Sequence, residues 1–329
     1  MMPRINLVLP VLLVLTCLVS LGSGTVDVAI STGLLDWFAA RDSVDAIIVG
    51  EIRLPRTLLA LLVGAAMGLS GAALQGLLRN PLVDPGLIGA SQGAALGASM
   101  VFYFNLFPSL GALATPLAGL IGAALALLVL LGLAGSMARP AIVILAGRAL
   151  STLAGALLAV VLNFAPNPYA MQELVFWLLG SVSHRGIDHL AVLLPAFIVG
   201  LLLIWSQRRL LLGLSLGEQV AASMGFGLAR NGRLIILGSA ILIGAAVAVA
   251  GNIGFVGLLV PHLVRPLVGY RPDRILLPSA MAGALVVCLA DILVRGLPPD
   301  RELKLGVLTA LVGAPFFIYL VYRERQRWI

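Results

Sequence analysis

Long apolar runs separated by short polar connections set the rhythm of this chain. Hydropathy gives about ten apolar runs that read as membrane-crossing helices, most of them near the ~20 residues that a hydrocarbon core of ~30 Å requires at ~1.5 Å of rise per residue. Their approximate limits are 5–23, 56–77, 88–107, 113–136, 141–164, 189–206, 231–250, 254–268, 276–296 and 305–322. Leu, Ala, Gly and Val dominate these runs with little strict alternation, so helices are expected and a β-barrel is not. The connections leave no room for a separate soluble domain. The expected fold class is an all-α polytopic membrane protein, one transmembrane domain over residues 1–329, with about ten spans.

The most informative interruption lies between Arg53 and Gly97. Two arginines flank a proline, an apolar small-residue run follows, and it breaks at Arg79-Asn80-Pro81 and Asp84-Pro85-Gly86 before a second small-residue run. The pattern has an echo. Gly64-Ala65-Ala66 with Ser70-Gly71-Ala72 is matched by Gly244-Ala245-Ala246 with Ala250-Gly251-Asn252, and each copy leads to a Gly-Leu-Leu and then a proline, Pro81 or Pro261. An odd number of spans separates the copies, which predicts an inverted internal repeat of the kind that places a transport path at its interface. Gly64 with Gly68, and Gly93 with Gly97, predict close helix packing.

Composition excludes a soluble domain: 60% of residues are apolar, 11% are charged and the mean hydropathy is +1.10. The net charge of +7 does not point to nucleic acid, because the arginines are dispersed between spans. Of the 21 basic residues, 14 fall on one side of the predicted topology, which places both termini in the cytoplasm. The acidic stretch 27–51, with Asp27, Asp36, Asp42, Asp45 and Glu51, is then an external loop.

Arg53, Arg56 and Arg295 sit at outer span ends, where the orientation rule gives no reason for them. Either they snorkel to lipid phosphates, with Arg295 pairing to Asp291 one turn earlier, or they form a basic rim that docks an acidic external partner. On the docking reading, reversing their charge weakens docking and leaves folding intact.

The inner loop 207–230 differs from the other connections. Ser215-x-x-Glu218 reads as a capping box before a short amphipathic helix that Gly225 and Gly227 stop. Such a helix either lies on the membrane or protrudes as a lever for a cytoplasmic partner, and the Glu218, Ala221, Gly225 spacing favours the lever. Ser70, Gln75, Ser91 and Gln92 are candidate polar residues of a path; each is equally able to make an interhelical hydrogen bond. Cys17 and Cys288 read as packing residues. His184, His189 and His262 lack metal-ligand spacing, and no nucleotide-binding loop, nucleophile elbow or paired intramembrane carboxylate is present. No catalytic residue, metal or cofactor is expected on this chain. An ion-coupled carrier lacks a visible ion site here, and an intramembrane enzyme lacks a constellation.

Taken together, RLPR at Arg53–Arg56, LVGAAMGLSGAALQGLLRNPLVDPGLIGASQGAALGA, WLLGS at Trp177–Ser181, SLGEQVAASMG, GNIGFVGLLVPHLVRPLVG at Gly251–Gly269, ADILVR at Ala290–Arg295 and GAPFFIYL resemble the FecCD/BtuC-like permease subunits of ABC importers for iron–siderophore, haem and vitamin B12. The resemblance implies a ten-span homodimer in the bacterial inner membrane with the path between its copies. It also implies two cytoplasmic ATPase subunits, which hold ATP and Mg2+, and a periplasmic or lipoprotein substrate-binding protein. By the same resemblance, Ser215, Glu218, Ala221, Ala222 and Gly225 belong to the coupling helix, and Arg53, Arg56 and Arg295 form the docking pocket. Asn80, Pro81 and Leu82 form part of the cytoplasmic gate. The second gate element of that family is small and polar, whereas Pro140-Ala141 stands here. Ferric siderophore is the favoured cargo, with haem and cobalamin as alternatives.

Overall fold

The structure is a computed structural model and describes residues 2–24, 26–104, 106–135, 140–164, 167–297 and 303–325. Among the described residues there is no strand. In order, the helices are α1 (Met2–Gly22), α2 (Ile30–Phe38), α3 (Val44–Ala46), α4 (Leu54–Leu77), α5 (Ala90–Phe104), α6 (Ala114–Ala134), α7 (Pro140–Asn163), α8 (Pro168–Leu178), α9 (Ile187–Ser206), α10 (Arg208–Ser215), α11 (Glu218–Ser223), α12 (Leu228–Ala250), α13 (Val256–Val264), α14 (Leu276–Arg295) and α15 (Leu305–Arg325). A π-helical segment, Ile47–Arg53, joins α3 to α4, and 3-10 turns at Pro85–Ile88 and Arg265–Val268 flank α5 and α13.

Each expected span coincides with a helix: α1, α4 to α7, α9 and α12 to α15. Seven apolar helices are long enough to cross a membrane, while Leu7–Gly22 and Val256–Val268 are shorter. The 15 residues of α5 reach only ~22 Å.

Two stretches differ from expectation. The acidic segment 27–51 is not a loop but carries α2, α3 and most of the π-helical segment. It folds back on itself because Gly33 meets the Asp45 carbonyl and Gly50 lies against the Trp37 ring, positions where a Cβ would overlap its neighbour. The connection between α7 and α9 likewise contains α8. Of the basic residues used to orient the chain, Arg139, Arg301 and Arg327 lie outside the described residues.

The centre of the bundle is α4 and α12, whose apolar windows are 83% and 78% buried; those of α6, α7, α9 and α15 are at most one-third buried. Lipid tails are as apolar as leucine, so helices in a bilayer gain by close backbone approach rather than by hiding apolar surface. Glycine supplies that approach here. Gly64 faces the Gly283 carbonyl and Gly68 the Ser279 carbonyl, which locks α4 to α14; Gly71 faces the Gly257 carbonyl, which locks α4 to α13. Gly93 against Gly122 and Gly97 against Ala118 do the same for α5 and α6. The packing expected from Gly64/Gly68 and Gly93/Gly97 is therefore present.

The two echoed segments have a common form: a buried helix, a break, and a second helix. After α4 the chain turns through Arg79 at φ 48° and Gly89 at φ 82°; after α12 it turns through Gly251 at φ 72° and Phe255 at φ 66°. Such left-handed residues end a helix sharply. At Gly251 glycine is needed twice, because a Cβ there would also overlap the Trp177 carbonyl.

Candidate functional site

Three groups of residues stand out, one at each end of α4 and one where the two breaks meet. At the start of α4 and the end of α14, Asp291 is 1% exposed and lies between two arginines. Arg56 donates to it from Nε (3.0 and 3.1 Å) and from Nη2 (2.8 Å). Arg295 donates from Nε at 2.8 Å and from Nη2, and its Nη1 reaches the Ser20 carbonyl at 2.9 Å. Arg53 is 5% exposed and donates to the carbonyls of Leu21 (2.9 Å), Gly22 (3.1 Å) and Val26.

The Arg295–Asp291 pair expected one turn apart is formed, but it is half of a larger arrangement. Sequence reasoning missed Arg56 as the second partner, 235 residues away, because no local spacing reports such a contact. The geometry also corrects the expectation that reversing these charges leaves folding intact. Glutamate at 53 would face three carbonyl oxygens, and glutamate at 295 would face Asp291.

Where the two breaks meet, a cavity of about 230 Å³ is lined by Asp84, Ser91, Gln92, Arg148, Ser151 and Asn252 together with apolar residues such as Met67 and Phe255. Asp84 Oδ1 accepts from the Gly86 amide at 2.7 Å and so caps the turn Pro85–Ile88. Ser91 and Gln92 lie on this wall. Ser70 and Gln75 do not. Ser70 is fully buried and lines neither this cavity nor the one at the end of α4. Gln75 is 2% exposed and makes the alternative interhelical bonds: its Nε2 donates to the carbonyls of Val83 (3.3 Å), Gly257 (3.4 Å) and Leu258 (3.3 Å), and its Oε1 accepts from Arg265 at 2.6 Å. One side chain thus ties the first break to the start of α13.

At the far end of α4, Asn80 is exposed, and its Oδ1 accepts from the Leu82 amide at 2.9 Å to shape the Asn80-Pro81-Leu82 turn. This turn borders a second cavity of about 250 Å³ with Gln75, Arg79, Ser215, Arg265 and Arg271, so Gln75 lines a cavity as well as making its interhelical bonds. The short helix expected in the loop 207–230 is present as α11, but its expected cap is not formed. Ser215 ends α10, where its Oγ donates to the Leu212 carbonyl, and Gly217 at φ 116° precedes α11, so no capping box forms. Two short helices with a glycine between them replace the single helix. The freed Glu218 carboxylate instead pairs with Arg79 across the cavity mouth.

Ala221 is buried against Gly213, which seats α11 on α10, while Ala222 is exposed and Gly225 ends α11 at φ 84°. Leu211 packs beside Gly76 and joins α10 to α4. Ala141 is exposed in the first turn of α7; the side chain of Pro140 lies outside the described residues. Among the described residues no group of three or more His, Cys, Asp or Glu could hold a metal ion.

Known proteins match this chain nearly end to end. The hemin transport system permease protein HmuU of Yersinia pestis is 38% identical over 98% of this chain and 97% of its own length. The vitamin B12 import system permease protein BtuC of Citrobacter koseri is also 38% identical, over 97% and 94%. A solved structure described as an inward-facing ABC transporter of metal-chelate type superposes with a TM-score of 0.86 at 33% identity, covering 98% of this chain and 99% of that one. Residues 12–323 match the FecCD transport family, and with the all-helical architecture and the twin helix breaks this makes the chain a member of that family, a multi-pass ABC transporter permease.

Proposed function

We propose that this chain is the permease subunit of a binding-protein-dependent ABC importer in the bacterial inner membrane, carrying a ferric-siderophore-type metal chelate into the cytoplasm. Two copies form a homodimer around the path, with both termini of each in the cytoplasm. Two ATPase subunits bind ATP and Mg2+ below, a periplasmic or lipoprotein binding protein delivers cargo above, and the permease itself holds no cofactor.

The observation that carries this reading is the polar cavity at the meeting of two helix breaks, since broken helices facing each other are how transporters line a path within a bilayer. The ends of α4 fit the partners. On the lever, Leu216, Val220 and Met224 are 64%, 40% and 52% exposed, an apolar face suited to a groove on an ATPase. At the other end, three arginines against one aspartate leave net positive charge for a carboxylate of the binding protein. Arg56, with its side chain 19% exposed, presents most of that charge, Arg295 (8%) backs it from the other side of Asp291, and Arg53 holds α1 in place behind them.

Closure of the ATPase pair would push α10 and α11, and through Leu211 and Arg79 the end of α4. The two halves then rock about the cavity. A haem or cobalamin cargo is the second reading, since relatives of equal identity are named for haemin and for vitamin B12.

Uptake by proteoliposomes containing this chain, its ATPase and its binding protein tests the proposal. Ferric siderophore, haem and cobalamin are offered in turn, with and without ATP. ATP-dependent accumulation of one chelate is the expected result. Accumulation driven by an ion gradient without ATP would overturn it.

A further inference from the structure

Arg148 has an unusual place. It lies in the third turn of α7, ~12 Å along the axis from Pro140, within a helix apolar and long enough to cross the membrane. There it is exposed, and among the described residues it forms no ion pair. Eight residues into α7, it stands further along a span than the charges that normally set orientation at span ends. An unpaired guanidinium inside a bilayer is costly unless it faces water or a partner.

Its neighbours say which way it faces. Gly147 lies against the Leu87 carbonyl and Leu150 against Gly89, so this part of α7 is seated on the break between α4 and α5. Ser151 Oγ reaches the Gly86 carbonyl at 3.5 Å. Arg148 lines the same cavity as Ser91, Gln92 and Asn252. This is a polar opening, not a lipid-facing surface.

We infer that Arg148 faces the aqueous translocation path and favours anionic chelates over neutral ones. This rests on the importer reading and names its cargo class. The planar fork of five N–H donors matches carboxylate and catecholate oxygens. In a narrow, low-dielectric cleft one such charge raises the local concentration of anions, and a second copy of the chain would contribute another. Asp84 shares the cavity, but its carboxylate is turned to the Gly86 amide and it forms no ion pair with Arg148.

Uptake of ferric tris-catecholate, haem and neutral cobalamin is compared in proteoliposomes containing the complete transporter. With Arg148→Gln, uptake of the anionic chelate carried by the wild type is expected to fall about tenfold or more, in line with electrostatic steering in a charged cleft. Arg148→Lys, which keeps the charge, retains most uptake, and Asp84→Asn, which keeps the cap acceptor, does not lower it. Equal uptake by wild type and Arg148→Gln, or a wild type that carries only cobalamin, would overturn the inference. Absence of ATP-dependent uptake of every chelate by the wild type would instead count against the importer reading.

A second measurement does not depend on cargo. Arg148→Cys in membranes is treated with a water-soluble cationic methanethiosulfonate, with the wild type and its Cys17 and Cys288 as background. Labelling of position 148 is expected; protection from the reagent would overturn the placement.

Discussion

The two ends of α4 each carry an arginine–carboxylate contact, and they differ in kind. At one end Asp291 is buried between Arg56 and Arg295, whose side chains are 19% and 8% exposed. At the other, Arg79 and Glu218 meet with side chains 44% and 50% exposed. Burial makes the first contact hard to break, because separating its partners would leave a charge without water. Exposure makes the second one weak and screened by salt, because water replaces either partner at little cost. The same pair of functional groups thus gives a fixed platform where α1, α4 and α14 converge and a labile tie between α4 and the lever. On the proposed function, a docking surface benefits from the first property and a moving part from the second.

The largest expected effect comes from breaking the platform. Asp291→Ala should lower stability by about 3–5 kcal/mol, read as thermal unfolding in detergent, since it leaves two arginines without their buried counter-charge. Stability equal to wild type would erase the asymmetry between the ends. Arg53→Ala should cost about 2–3 kcal/mol in the same assay, because charge-assisted bonds to three carbonyls disappear together.

Gln75→Leu tests the middle of α4, where the same helix is held by a neutral hub. The loss of its bonds to the first break and to Arg265 should cost about 1–3 kcal/mol. It should also reduce uptake by loosening the two breaks from each other. The smallest effect on stability belongs to the lever. Arg79→Ala and Glu218→Ala should each change it by less than about 1 kcal/mol. Transport per ATP hydrolysed should nevertheless fall, and the exchanged pair Arg79→Glu with Glu218→Arg should recover part of it. Tight coupling in the single variants would place the connection between lever and break in the Leu211 packing alone.

Much of the fold was legible from local pattern. Each of the ten apolar runs corresponds to a helix, seven of them long enough to cross a membrane, and the small-residue pairs at Gly64/Gly68 and Gly93/Gly97 gave close packing, because a bilayer allows few alternatives for an apolar segment. The lever and both breaks were marked by Gly, Pro and Asn. The acidic segment 27–51 was misjudged because its acidic residues set its hydropathy, whereas Gly33 and Gly50 set its shape by admitting Asp45 and Trp37.

The candidate site divides along the same line. The sequence by itself determined which residue types stand near the breaks and at the span ends, since those follow from neighbours in the chain. Only the tertiary structure decided what each one touches: that Asp291 serves two arginines, that Gln75 is a tie and Ser70 is sealed, that Glu218 reaches Arg79, and that Arg148 opens on the cavity. These contacts join residues far apart in sequence, across helix faces whose rotation is fixed by packing, and local spacing carries no record of that rotation.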